Sequence, residues 1–266
     1  MKDFKMALKK ILPKIRDAKE RALNEADTRM RIRLLLADVL GYDLLDEITQ
    51  EHMIQGHYVD FAVKAPMWNK KAGKYTPEIV FLVEAKSVDT NLKDTHAYQV
   101  NNYAASAGVS LSLLTNGVDY KLYHLTWDKN KGVENNLIVS FNILDDDTNE
   151  VVKKLYLISK ESFKKGVIDK FIAETTSLSE RNLITAMLSE RVLNAIRLEL
   201  KNITGHSIKN EAVEQSISQL FATELYEAAK DCLKKQARKI SKPEIKPIME
   251  NTETALIPDT ICSDQQ

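Results

Sequence analysis

The stretch Ile79-Val-Phe-Leu-Val-Glu-Ala-Lys86 decides the fold, because its β-branched and aromatic residues favour a strand. A similar stretch, Tyr58-Val-Asp-Phe-Ala-Val63, predicts a second strand upstream. The polar link from Pro66 to Pro77 joins the two, and we expect it to form a hairpin loop. The two strands are therefore expected to lie side by side in one sheet.

Helices are predicted on the N-terminal side of this pair. The apolar pattern predicts helical structure from Lys2 to about Leu40. Pro13 is expected to break or kink the first helix, because proline lacks the backbone N–H that a helix needs. Gly41 is expected to end the second helix.

Helix and strand patterns also alternate on the C-terminal side of the pair. The sequence predicts a helix over Leu92 to Ala107 that ends at Gly108. Strands are predicted at Val109 to Leu114 and at Tyr120 to Trp127, joined by the turn Asn116-Gly117. This order of elements is typical of an α/β core.

The rest of the chain is predicted to be helical. Ser177-x-x-Glu180 fits a capping box that opens a long helix toward Leu200. A helical stripe follows at Val213, Ile217, Leu220 and Phe221. We therefore expect a core with N-terminal helices at residues 1–150, a helical extension at 151–240 and a flexible tail at 241–266.

Composition restricts the classes of function. The formal net charge is zero, so overall charge does not indicate a nucleic-acid partner. Lys2 to Arg33 nevertheless holds eleven basic residues against five acidic ones, which predicts either a local basic rim or a solvated helix face. Two distant cysteines argue against a zinc site or a disulfide framework, and suit a reducing cytoplasm. We expect no signal peptide and no membrane span.

Two carboxylates and a lysine form the candidate site. Glu84 and Lys86 are two residues apart on one strand, so they share a face. Asp60 on the neighbouring strand can bring its carboxylate to that face. Two carboxylates suit Mg²⁺, and the backbone carbonyl of Ala85 offers another oxygen. Lys86 can orient a water or stabilise charge on a phosphate. The alternative is structural, with Asp60 simply pairing with Lys86.

Further residues are candidates for supporting roles. Gln99 and Tyr103 are four residues apart, so they share one helix face, which can look toward a metal or a phosphate. His57 is expected to be structural or at the surface. Trp68 and Tyr75 occur with Lys70, Lys71 and Lys74 in the predicted hairpin loop; this mixture suits either nucleic-acid binding or a solvated tip.

Six short strings carry a resemblance to a known family. They are Glu25-Ala-Asp-Thr-Arg29, Leu40-Gly-Tyr-Asp43, Val59-Asp-Phe61, Val83-Glu-Ala-Lys86, Gln99-x-x-x-Tyr103 and Leu114-Thr-Asn-Gly117. In this order they resemble the N-terminal nuclease domain of type I restriction enzyme R subunits. This domain lies in the branch of the PD-(D/E)XK nuclease superfamily that carries a Q-x-x-x-Y helix. The resemblance covers roughly residues 24–123.

The resemblance implies a fold and a set of site residues. It implies a restriction-endonuclease-like α/β core, with a mixed central sheet flanked by helices, and a metal site at Asp60, Glu84 and Lys86. Glu25 matches an acidic residue that often joins this site; the alternative for Glu25 is an exposed acid in the first turn of a helix, where the helix dipole favours it. Gln99 and Tyr103 match a polar pair that supports metal or DNA binding. Val59 replaces the proline of the superfamily name. No G-x-x-x-x-G-K-[ST] is present, so we expect no ATP site and no DNA translocation.

The resulting hypothesis is a cytoplasmic, Mg²⁺- or Mn²⁺-dependent endonuclease of a restriction or phage-defence system. Its expected partners are DNA, with duplex favoured, and protein subunits of the restriction system. The alternative is a non-catalytic DNA-binding or subunit-docking module that keeps the nuclease scaffold. An RNA substrate and a homodimer stay open.

Overall fold

The computed structural model describes residues 2–128 and 132–240. The chain divides into two compact units, Met1–Leu178 and Ser179–Gln266. The first unit includes three helices between residues 148 and 177 that the sequence analysis assigned to the helical extension. Within the described ranges, no helix is long and apolar enough to cross a membrane.

A mixed sheet forms the centre of the first unit. The described strands stand side by side in chain order: β1 (Ile48–Ile54), β2 (His57–Asn69), β3 (Lys74–Ala85), β4 (Leu111–Thr115), β5 (Asp119–Asp128) and β6 (Gly132–Asn142). Among these strands, only β3 and β4 are parallel neighbours. With helices against it, this sheet confirms the predicted α/β, restriction-endonuclease-like fold.

Helices pack against the sheet and form the described part of the second unit. Those of the first unit are α1 (Lys2–Glu20), α2 (Glu25–Asp38), α3 (Asp94–Ala107), α4 (Thr148–Leu157), α5 (Lys160–Lys165) and α6 (Val167–Ser177). Those of the second are α7 (Glu180–Met187), α8 (Glu190–Thr204), α9 (Asn210–Ser218) and α10 (Thr223–Ile240). The predicted helix over residues 92–107 is confirmed, and Gly108 ends it in the left-handed conformation.

Each face of the sheet has its own apolar cluster. Phe81, Val83 and Ala85 of β3 pack in the cluster that includes residues of α1, α2 and α4–α6. Leu82 packs instead in the cluster that includes α3. Because side chains alternate along a strand, Glu84 follows Leu82 to the α3 face. The alternation therefore brings the carboxylate of Glu84 to the face of the sheet that α3 covers.

The expected hairpin loop over residues 66–77 is wrong. β2 and β3 continue through it, and their pairing runs to Asn69↔Lys74. The two prolines that suggested a loop stand opposite each other, Pro66↔Pro77. Proline cannot donate a backbone hydrogen bond to a neighbouring strand. Here β2 and β3 have no neighbours on their outer sides, so no donor is needed at the positions that face outward. Pairing between strands therefore outweighed the local turn signal.

The edge strands β1 and β6 were not predicted. Both carry many polar residues, and most of their described side chains are exposed or half-buried. A strand at the edge of a sheet buries little, so its apolar alternation is weak. Their strand structure depends on pairing with β2 and β5.

Several helix boundaries also differ from prediction. Pro13 does not break α1, whose buried Leu8, Ile11 and Ile15 pack on the core on both sides of the proline. The long helix expected from Ser177 to Leu200 is wrong: α7 begins after Ser179 and a separate helix, α8, follows it.

The predicted stripe of the second unit holds only in part. Val213 and Ile217 are buried on α9, but the helix ends at Ser218 and Leu220 is exposed. Phe221 is half-buried against the cluster of the second unit. The tail predicted at 241–266 lies outside the described residues.

Candidate active site

The candidate residues lie where the pairing of β2 and β3 ends. The register stops at Phe61↔Val83, so Asp60 and Glu84 stand just beyond the ladder. The parallel strand β4 ends beside them, and the Lys86 N–H donates to the Thr115 carbonyl at 2.9 Å. Ligands of α/β sheets commonly bind outside such carboxyl ends of strands.

Asp60 joins β3 to helix α2. Its Oδ2 accepts a hydrogen bond from the Ala85 N–H at 2.7 Å, in place of a backbone carbonyl. Its Oδ1 accepts from Arg29 Nη1 at 2.8 Å, and its side chain is only 11% exposed. The expected alternative, in which Asp60 pairs with Lys86, is therefore wrong, because the cation beside Asp60 is Arg29.

Arg29 is a site residue that the sequence analysis did not assign. Asn24 caps α2 by accepting from the Asp27 N–H at 2.9 Å, and this fixes where the helix begins. Glu25 and Arg29 are then one turn apart, so they share a helix face. Arg29 closes the quoted string that contains Glu25, but nothing local indicated that it pairs with Asp60, 31 residues away.

Glu84 and Lys86 share a face, as their spacing predicted. Lys86 Nζ donates to Glu84 Oε1 at 2.6 Å. Glu84 is only 4% exposed. Burial raises the pKa of Glu84, and the charges of Asp60 and Glu25 raise it further, although Lys86 opposes them. A buried carboxyl under like-charge repulsion favours a second cation nearby.

The electrostatic field at the site brings in Glu25. Burial lowers the pKa of Lys86, but the hydrogen bond with Glu84 and the negative charges of Glu84, Glu25 and Asp60 outweigh burial, so this pKa is raised. This shift favours the protonated form of Lys86, which donates to Glu84.

His96, in the first turn of α3, was also missed. Burial and the positive charges of Lys86 and Lys93 lower its pKa, and Glu25 acts in the opposite direction. The lowered pKa favours the neutral imidazole, whose Nδ1 accepts a hydrogen bond from the Lys93 N–H at 3.4 Å at the start of α3. The sequence signal was weak, because a single histidine on a half-buried helix face is usually structural.

Gln99 and Tyr103 form a pair on α3. Gln99 Nε2 donates to the Tyr103 hydroxyl at 3.3 Å, which confirms that they share a face. The Tyr103 ring stacks on His57, with ring centroids 5.7 Å apart. The hydrogen bonds of the described ranges do not connect this pair to Asp60 or Glu84, so its part in the site stays a prediction.

The backbone of β1 is irregular opposite Asp60. Pairing with β2 skips one position, between Gln50↔Phe61 and His52↔Val59. Glu51 falls there with a φ of 47°, in the left-handed region that residues other than glycine rarely adopt. Glu51 and Gln50 line an open groove together with Arg29 and Asp60. Such strain often marks functional positions.

The donor set fits a hard divalent cation. Among residues 2–128 and 132–240, no three His, Cys, Asp or Glu side chains are grouped closely enough to hold a metal by themselves. Mg²⁺ does not need three, because it commonly keeps several waters and binds one or two carboxylates. Asp60 and Glu84 supply two, and Asp60 Oδ1, Asp60 Oδ2 and Glu84 Oε1 each have a second lone pair beyond the hydrogen bond that they accept.

Comparison with known proteins agrees with the sequence resemblance. Residues 24–138 match the family model described as type I restriction enzyme R protein N terminus. Searches of curated proteins and of solved structures gave no match. The match includes α2, α3 and β1–β5 with Asp60, Glu84 and Lys86, and it confirms the predicted resemblance.

Proposed function

We propose that this chain is a Mg²⁺-dependent nuclease of a restriction system, hydrolysing phosphodiester bonds in DNA. Similarity to the R-protein N terminus supports a nuclease-like role in restriction. One observation carries the proposal. Asp60 and the buried Glu84 stand together at the end of the β2–β3 ladder, and Lys86 donates a hydrogen bond to Glu84. Carboxylates facing a phosphate repel it, so this arrangement suits catalysis only with a cation between them.

Each side chain has a proposed role. Asp60 and Glu84 hold the metal, with the Ala85 carbonyl as a further ligand, and Glu25, expected from the resemblance as a further ligand, acts on the site through its charge. Lys86 binds the scissile phosphate and stabilises the charge that develops there; its raised pKa keeps it protonated for this task. Gln99 and Tyr103 support the metal or the DNA. When bound, Mg²⁺ supplies Lewis acidity and lowers the pKa of a coordinated water.

The test is cleavage of supercoiled plasmid, linear duplex and single-stranded DNA by the full chain with Mg²⁺ or Mn²⁺. We expect cutting that EDTA abolishes and that fresh metal restores. An RNA of matched sequence decides between DNA and RNA. Cutting that continues in EDTA would contradict the proposed mechanism.

A second candidate function has its own observation. Arg29 and Lys86 already neutralise the two carboxylates without any metal, as they would in a non-catalytic DNA-binding or subunit-docking module. Calorimetric titration with Mn²⁺ separates the two. No metal uptake together with no cleavage would favour the module, whereas uptake without cleavage would indicate that a partner subunit is missing.

Metal affinity is expected to depend on pH above the ordinary glutamate range. The pKa of Glu84 is raised from 4.5, mainly by burial, so Glu84 still binds a proton at pH values where an exposed glutamate is ionised. Mn²⁺ has to displace that proton. Affinity should therefore begin to fall at a pH above the range in which an exposed glutamate titrates, with protons released on binding.

Calorimetry in two buffers of different ionisation enthalpy measures this proton release. Glu84→Gln removes the titrating group, so its weaker binding should release fewer protons. Proton release that is the same in the variant and in wild type would show that another group titrates.

A further inference from the structure

The β2–β3 hairpin reaches beyond the sheet. β1 pairs with β2 no further than Val63, and β4 pairs with β3 only from Leu82. Residues 64–79 between these limits form cross-strand pairs only with each other, from Lys64↔Ile79 to Asn69↔Lys74. We call these residues the β2–β3 ribbon. One of its sides packs on the core through Ala65 and Met67. On the opposite side, Ile79 at the base packs against the cluster that includes α3, and the side chains nearer the tip are exposed.

The open side of the ribbon presents two large aromatic rings. Trp68 and Tyr75 are cross-strand partners, in an edge-to-face arrangement with centroids 5.3 Å apart. They are 55% and 57% exposed. Their mutual contact stabilises the ribbon by itself. More than half of each side chain nevertheless stays in contact with water. Both rings therefore have apolar surface that a ligand can bury.

The charged residues of the ribbon are mostly positive. Lys64, Lys70, Lys71 and Lys74 fall within it, and Glu78 is its one acidic residue. Glu78 accepts a hydrogen bond from Thr76 near the base. The three lysines around the tip are exposed, and the ion pairs of the described residues include none of them. The tip therefore presents positive charge beside uncovered aromatic rings.

We propose that the β2–β3 ribbon binds single-stranded nucleic acid, with the lysines on phosphates and with Trp68 and Tyr75 stacking on unpaired bases. Basic residues beside exposed aromatics are the usual elements of such surfaces, because every base has a ring face to stack. Closed duplex hides those faces. Trp68 lies roughly 25 Å along the strand from Asp60, so the ribbon would hold a strand well away from the carboxylates.

This inference rests on the proposed function in one respect: it takes the ligand to be the nucleic acid that the proposed nuclease acts on, and it names the single-stranded form. Binding is therefore measured in EDTA, without cleavage. The full chain is titrated with a short fluorescent single-stranded oligonucleotide and with its duplex, using fluorescence anisotropy. We expect the single strand to bind more tightly. Trp68→Ala with Tyr75→Ala should weaken it about 10-fold or more, and Trp68→Phe should retain most of the affinity.

The chain contains matched controls. Trp127, the other tryptophan of the sequence, lies on the β5–β6 hairpin and is 49% exposed, so Trp127→Ala should leave binding unchanged. In a Trp127→Phe background, the fluorescence of Trp68 should be quenched on binding. Replacing Lys70, Lys71 and Lys74 together should lower the slope of log affinity against log salt by about 0.7 per lysine.

The outcomes separate this inference from the proposed function. Unchanged single-strand binding in a folded Trp68→Ala, Tyr75→Ala variant would overturn the ribbon, whether or not the protein cuts DNA. Equal dependence on the two rings for duplex and single strand would overturn base stacking. Binding to anionic lipid vesicles but not to oligonucleotide would assign the surface to membranes instead. Loss of cleavage alone, with ribbon binding intact, would contradict only the nuclease.

Discussion

Lys86→Ala is expected to lower metal-dependent DNA cleavage by about 10²–10³-fold, the usual cost of removing a group that stabilises transition-state charge. Lys86 Nζ is held at 2.6 Å from Glu84 Oε1, and its raised pKa keeps it charged where the phosphate would lie. Metal uptake should persist, because both carboxylates remain. The measurements are plasmid cleavage rates and Mn²⁺ titration of the same preparation.

Two further variants serve as controls for this result. Lys153 is also ion-paired with a glutamate, at 2.7 Å, but is exposed on α4, so Lys153→Ala should cut like wild type. Asp60→Asn should lose metal uptake as well as cleavage. A Lys86→Ala protein that cuts normally would remove Lys86 from the reaction, provided that thermal unfolding shows an intact fold.

Arg29→Ala is expected to bind Mn²⁺ about tenfold more tightly than wild type. Arg29 Nη1 lies 2.8 Å from Asp60 Oδ1, so the guanidinium and an incoming cation compete for the same carboxylate. A hydrogen bond between charged groups contributes about 1.5–3 kcal/mol when well formed, and about 1.4 kcal/mol corresponds to tenfold in affinity. Arg29 is 28% exposed, so the lower end of that range applies.

Calorimetry of Mn²⁺ binding checks this prediction without reference to cleavage. Arg29→Lys keeps a positive charge but loses the planar guanidinium, so its affinity should fall between the two. Arg31 lies on the same helix and pairs with Asp17, and Arg31→Ala should bind metal like wild type. Weaker metal binding by Arg29→Ala would show instead that Arg29 holds Asp60 in position for the cation.

The sequence determined the central elements and the lysine–carboxylate pair of the site. The stretches at 58–63 and 79–86 are rich in residues that favour strands, and they lie in β2 and in β3, which ends at Ala85. Strand alternation alone put Glu84 and Lys86 on one face, and helical spacing put Gln99 beside Tyr103. Asn116-Gly117 marked its turn, because glycine readily adopts the φ of 84° found at Gly117.

Only the tertiary structure decided what surrounds these residues. Arg29 reaches Asp60 because α2 packs against β3, the neighbour of β2. The edge strands β1 and β6 form because β2 and β5 offer them backbone partners. In the ribbon of β2 and β3, pairing between the strands likewise outweighed the turn preference of Pro66 and Pro77. Local sequence encodes periodicity and turn preference, whereas pairing and burial depend on residues tens of positions away, and at these places the distant contacts outweighed the local preference.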